Sequence, residues 1–159
     1  DKIHMFDVNI SKGESYKESK IFTKGSKIIT GKLPWGKIGM SICYDLRFPS
    51  LYRKLSLKGV NMISIPAAFT RPTGESHWRT LIKARAIENL SFVFAPAQCG
   101  INSSTRKTYG HSIIVSPWGE IIAEMRGKPG IISAEIDMSD VLKVRKMIPS
   151  YKGTPIEKK

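Results

Sequence analysis

Cys43 is the residue whose type and setting best suit chemistry. It follows an apolar run, Ile38 to Ile42, that reads as a short buried strand. Directly after it comes Tyr-Asp-Leu-Arg-Phe-Pro, where Asp45 suits a helix N-cap and Pro49 suits the first turn. That helix is expected to run through Leu51, Leu55 and Leu57 and to stop at Gly59. A thiol at such a strand-to-helix turn lies at the positive end of the helix. It is expected to ionise more easily than the ordinary value of about 8.5. The residue type alone is compatible with a buried structural thiol as well, because free cysteine is among the most buried residues.

Other candidates are weaker on their own. His4, His77 and His111 are widely spaced and have no acidic cluster beside them, so packing or hydrogen bonding is expected of them, and no metal site. Asp45 and Arg47 are expected to form a structural ion pair supporting the turn. Trp78, Trp118 and Phe69 read as core or pocket wall, and Cys99 as structural. Two cysteines with no other sign of secretion read as reduced thiols in a cytoplasmic protein.

The elements that must position Cys43 follow from the hydrophobic pattern. Residues 1–36 look irregular, with short strands near Ile28 to Leu33 and turns at Gly31 and Pro34-Trp-Gly36. Val60 to Ala68 and Phe92 to Ala97 read as buried strands. Ser76 to Leu90 reads as a helix capped by Ser76, with Trp78, Leu81, Ile82, Ala86 and Ile87 near one face. Gly100 to Tyr109, including Ser103 and Ser104, reads as a polar loop. His111 to Val115, Pro117-Trp-Gly119 and Glu120 to Glu124 read as a hairpin, and Ile131 to Ile136 as a further strand. Ser139 to Met147 reads as a helix capped by Ser139, and residues 150–159 as an extended tail. Strands alternating with helices, then a hairpin, indicate an α/β layered fold.

The 159 residues, 41% of them hydrophobic, suffice for one domain with a core. No run of 18 apolar residues is present, so no membrane span is expected. The net charge is +13, from 26 basic and 13 acidic residues. The lysines are scattered without a basic block, and they outnumber the arginines favoured in phosphate and base contacts. A solvated surface is therefore expected, and no nucleic-acid partner.

The wording around Cys43 adds a resemblance. Gly39-Met-Ser-Ile-Cys-Tyr-Asp-Leu-Arg-Phe-Pro49 resembles the nucleophile segment of the carbon–nitrogen hydrolase (nitrilase) superfamily. Lys2-Ile-His-Met-Phe-Asp7 resembles the segment carrying that family's catalytic lysine, and Tyr16-Lys-Glu-Ser19 the segment carrying its second glutamate, Glu18 here. Gly74-Glu-Ser-His-Trp78, Ala84-Arg-Ala-Ile-Glu-Asn89, Tyr109-Gly-His-Ser112 and Ser116-Pro-Trp-Gly119 are similar to later family segments. Ser50 departs from the glutamate usual after Phe-Pro.

The resemblance implies an α-β-β-α sandwich of the nitrilase type. It implies a cysteine-dependent amidase needing no cofactor, in which the Cys43 thiolate forms a thioester with a small linear amide. Lys2 and the Tyr44 backbone N–H would hold the oxyanion, and Glu18 would hold Lys2. Ala97-Gln-Cys-Gly100 and Tyr109-Gly-His-Ser112 look most like the branch acting on deaminated glutathione, with a 2-oxo-acid ω-amidase nearby. The family's general-base glutamate belongs to a segment upstream of the lysine, and no glutamate here lies in a matching segment. Residues 1–159 are therefore expected to be the C-terminal portion of a single domain whose N-terminal part is missing. Members of this kind commonly pair, so a homo-oligomer is expected. The rival expectation is a non-catalytic remnant that binds or associates only.

Overall fold

A computed structural model describes residues 1–11, 14–102 and 106–152. Its centre is a six-stranded mixed sheet in the order β10-β9-β6-β5-β4-β3. The strands are β3 (Thr30–Leu33), β4 (Gly36–Met40), β5 (Met62–Ser64), β6 (Phe92–Ala95), β9 (Ser112–Val115) and β10 (Ile121–Met125). β4, β5 and β6 are parallel. Parallel neighbours need crossover connections, and α1 (Pro49–Leu57) and α2 (Arg71–Asn89) supply them. β3, β9 and β10 join antiparallel to their neighbours. Two small hairpins complete the strands: β1 (Asp7–Ser11) with β2 (Glu14–Lys17), and β7 (Cys99–Ile101) with β8 (Lys107–Tyr109).

Strand alternation assigns the two faces of the sheet. Ile63, Val93, Ile113 and Val115 meet Leu51, Tyr52 and Leu55 of α1 and Trp78, Ile82 and Ala86 of α2 in the main core. Burying each large apolar side chain contributes about 1.5–3 kcal/mol. Gly39 allows α1 to lie close, since a Cβ there would stand 2.9 Å from a Leu55 methyl carbon. Met62 and Phe92 point to the opposite face. There Val141 of α3 (Ser139–Met147) covers them, with Ile136 and Met138 alongside.

The α/β class is as expected, with α1 and α2 layered on one face of the six-stranded sheet. Several local expectations are corrected. Residues 1–36 contain the β1–β2 hairpin, and residues 100–109 the edges of the β7–β8 hairpin; Ser103 and Ser104 lie outside the described residues. α2 begins at Arg71 with a proline in its first turn, so Ser76 is inside the helix and caps nothing. Residues 131–136 form no strand. Their alternation reflects one-sided packing, with Ile136 against the sheet and Ile131 in solvent. α3 has the expected bounds, but Ser139 is its first residue and not its cap; the Ser139 N–H donates to the Asp137 carboxylate just before the helix at 2.8 Å. Pro149–Lys152 is a short 3-10 turn in place of extended chain, and residues 153–159 lie outside the described residues.

Candidate active site

Cys43 follows the end of β4 and opens a 3-10 turn, Cys43–Arg47. Its φ is +50°, in the left-handed region that a non-glycine residue occupies at a cost of roughly 1–3 kcal/mol. The surroundings hold it there. The Cys43 N–H donates to the Pro66 carbonyl at 2.9 Å, and the Ser41 N–H to the Ser64 carbonyl at 3.1 Å. Asp45 folds back to accept the Ile42 N–H at 2.9 Å. Leu46 offers its carbonyl to the buried Arg85 of α2, which donates from Nε at 3.0 Å and from Nη2 at 2.9 Å. This Arg85 anchor is not apparent from sequence, although it lies in one of the matching segments. Only the crossing of α2 behind the turn brings it there.

Two expectations about the turn change. Asp45 does not cap α1, which starts at Pro49 behind Phe48, so the thiol sits at the start of the 3-10 turn and not at the α1 terminus. Burial then dominates and pushes the Cys43 thiol up from its ordinary value. The Ala68 backbone N–H and the charges of Lys2 and Arg106 act in the opposite direction. Nor do Asp45 and Arg47 pair. Asp45 takes donors from His4, while Arg47 stands 3.3 Å from His77 Nδ1 with its guanidinium 5.3 Å from the Phe69 ring centre.

Lys2 lies on an irregular segment beside this turn. Its ammonium is ion-paired with the Glu18 carboxylate, and its side chain is only 11% exposed. The same Glu18 oxygen accepts the Phe6 N–H at 2.6 Å. Lys2 Nζ stands 6.0 Å from the Tyr44 ring centre. Among the described residues the Tyr44 N–H meets no acceptor. Lys2, Glu18, Cys43 and Tyr44 line one cavity of about 510 Å³, together with Lys17, Arg47 and Arg106. Glu18 is the only carboxylate among the described lining residues. The structure thus brings together the four residues singled out from sequence. Cys99 is on β7, away from that lining. His111 is turned to the Tyr109 carbonyl at 2.9 Å, and its own carbonyl accepts the Trp78 indole N–H at 2.8 Å. No three His, Cys, Asp or Glu residues cluster as metal ligands among the described residues.

The arrangement compares closely with known proteins. The sequence model of the carbon-nitrogen hydrolase family matches residues 1–146. A deaminated glutathione amidase of Synechocystis sp. is 46% identical over 151 residues, which is 94% of this chain and 56% of that protein. A probable hydrolase, nit2, of Schizosaccharomyces pombe is 43% identical over 93% of this chain and 55% of its own length. The crystal structure of the C. elegans NitFhit protein superposes with a TM-score of 0.91 at 40% identity, over 99% of this chain and 39% of that one. Saccharomyces cerevisiae Nit3, a member of branch 10 of the nitrilase superfamily, gives 0.82 at 35% identity, over 93% and 51%. The chain spans about half the length of the curated relatives it matches. The match covers β1 through most of α3 and includes every residue of the cavity, and the chain belongs to the carbon–nitrogen hydrolase family.

Proposed function

We propose that residues 1–159 are the C-terminal portion of a single carbon–nitrogen hydrolase domain, and that Cys43 is the nucleophile of an amidase acting on a small linear amide. The observation carrying this reading is the meeting of Cys43 with the Lys2–Glu18 ion pair in one cavity. In this reading the thiolate attacks the amide carbonyl carbon, the amine leaves with a proton, and water hydrolyses the thioester to an acid and the free thiol. The negative oxygen formed on attack faces the Lys2 ammonium and the unpaired Tyr44 N–H. Losing one such donor costs roughly 3–4 kcal/mol of transition-state stabilisation. Glu18 holds and aims the Lys2 ammonium through their ion pair.

The substrate is proposed to be an amide bearing a carboxylate, such as deaminated glutathione. The relatives' names support this, and so does the cavity: Lys17, Arg47 and Arg106 line it, and its one described carboxylate is already tied to Lys2. A reducing, cytoplasmic setting would keep Cys43 a free thiol. No helix among the described residues is long and apolar enough to cross a membrane. Pairing with a second copy is proposed through α1 and α2, where Leu57 and Ile87 are exposed.

The test is to incubate the chain with an activated ester of a small dicarboxylic acid and look for the acyl adduct by mass spectrometry. An adduct on Cys43, abolished by Cys43→Ala and sharply reduced by Lys2→Met, is the expected result. Acylation of Cys99 with Cys43 unmodified would overturn the assignment.

A further inference from the structure

The segment bearing Lys2 belongs to no sheet. Residues 1–6 form no ladder, so their backbone donors need other acceptors. Two of them go to carboxylates: the Phe6 N–H to Glu18 at 2.6 Å, and the His4 N–H to Asp45 at 2.9 Å. Asp45 is 1% exposed and fully engaged. Its Oδ1 accepts both the His4 N–H and His4 Nδ1, the latter at 2.8 Å, and its Oδ2 accepts the Ile42 N–H at 2.9 Å. A carboxylate accepts, so Nδ1 carries the proton. The His4 ring is pinned from its face by Phe48, with centroids 3.6 Å apart and planes 5° from parallel.

These contacts join two parts of the chain that carry different halves of the site. Asp45 is two residues after Cys43, and Ile42 is next to it. His4 is two residues after Lys2. We infer that His4 is a positioning residue: clamped by Asp45 and Phe48, it fixes where the Lys2 ammonium stands relative to the Cys43 thiol. This inference rests on the reading of Lys2 and Cys43 as site partners. The physical ground is that Glu18 alone is a poor anchor. Its side chain is 26% exposed on a three-residue 3-10 turn that follows the β1–β2 hairpin, whereas Asp45 is 1% exposed and lies within the turn that bears Cys43. With the ring removed, Lys2 keeps its charge partner but loses its tie to Cys43. A displacement near 1 Å then weakens its effect on the thiol steeply.

The experiment measures alkylation of Cys43 by iodoacetamide at fixed pH on the full chain, with Cys99 read separately by peptide mapping. Lys2→Met is expected to slow Cys43. His4→Ala is expected to slow it by about tenfold, with the melting temperature recorded alongside. His4→Asn, whose amide can donate to Asp45 in place of Nδ1, is expected to recover most of the loss. In the double variant with Lys2→Met, His4→Ala should add less than about twofold, because it acts through Lys2. If Lys2→Met slows alkylation but His4→Ala does not, or if His4→Ala slows it equally in both backgrounds, the positioning role is overturned while the site reading stands. If Lys2→Met leaves the rate unchanged, the site reading fails and the positioning role with it.

Discussion

Cys43 is subject to two opposed influences, and their balance sets its pH behaviour. Burial favours the neutral thiol and is the larger; the Ala68 N–H, Lys2 and Arg106 favour the thiolate. Alkylation of Cys43 in the folded chain should therefore rise with pH through a midpoint above the ordinary thiol value of about 8.5. Lys2→Met removes a lowering charge and should move that midpoint further up. A folded midpoint below that of the denatured chain would contradict this balance. The sign for stability follows: with its folded value raised, the thiol contributes stability that is complete below the unfolded value and lost as pH rises through the folded one. Much of this site is legible in sequence, because Cys43, Lys2 and Glu18 each sit in a recognisable run of residues. The direction of the thiol shift is not. It depends on how deeply the turn is buried, and the expectation of a helix terminus at Cys43 led the other way. His4 packs and hydrogen-bonds as its sequence setting suggests, but its partner Asp45, like the Leu46 partner of Arg85, lies far off along the chain and meets it only after folding.

At the scale of elements, the parallel strands and α1 are legible because apolar runs of strand length and a helical stripe declare them. The β1–β2 hairpin is not: Asp-Val-Asn-Ile-Ser alternates polar with apolar residues, but the run is only five residues long, and Glu-Ser-Tyr-Lys offers a single aromatic and no apolar alternation to pair with it. The start of α2 is masked by Arg71-Pro-Thr-Gly74, which has the composition of a turn. The structure explains Gly74: a Cβ there would run into the Tyr109 side chain, where α2 packs on β8. Gly74→Ala is thus a contest. Alanine gains about 1 kcal/mol of helix propensity, while overpacking typically costs about 1–3 kcal/mol. Because the clash is with the root of the Tyr109 side chain and its ring, overpacking should win. Chemical denaturation should show a net loss of up to about 2 kcal/mol, and a stabilised variant would mean that β8 yields easily. Trp78→Phe tests the neighbouring contact. It leaves the His111 carbonyl without its indole donor and should cost about 1–3 kcal/mol in the same assay.

At the scale of the whole molecule, the layer that holds the site determines what these residues can do by themselves. If α1 and α2 pair with a second copy through Leu57 and Ile87, sedimentation should show mass rising with concentration, and Ile87→Lys should weaken it; a monomer at all concentrations would count against pairing. Activity depends on a different feature. Expelling an amine needs a proton on the leaving nitrogen, and a general acid–base group usually contributes 10²–10⁴-fold. The only carboxylate lining the cavity among the described residues is Glu18, and it is committed to Lys2 and to the Phe6 N–H. An activated ester needs no such proton, because its leaving group departs as a stable anion. In the proposed reading the same oxyanion donors serve both substrates. Residues 1–159 assayed alone should therefore acylate at Cys43 with the ester of a small dicarboxylic acid, and turn over the matched primary amide slower than a complete family member by roughly that 10²–10⁴-fold. Adding an upstream segment that carries a glutamate should restore the amide reaction far more than the ester reaction. Full amidase turnover by residues 1–159 alone would show that a group already in this chain, with Glu18 the first to test by Glu18→Gln, moves the proton.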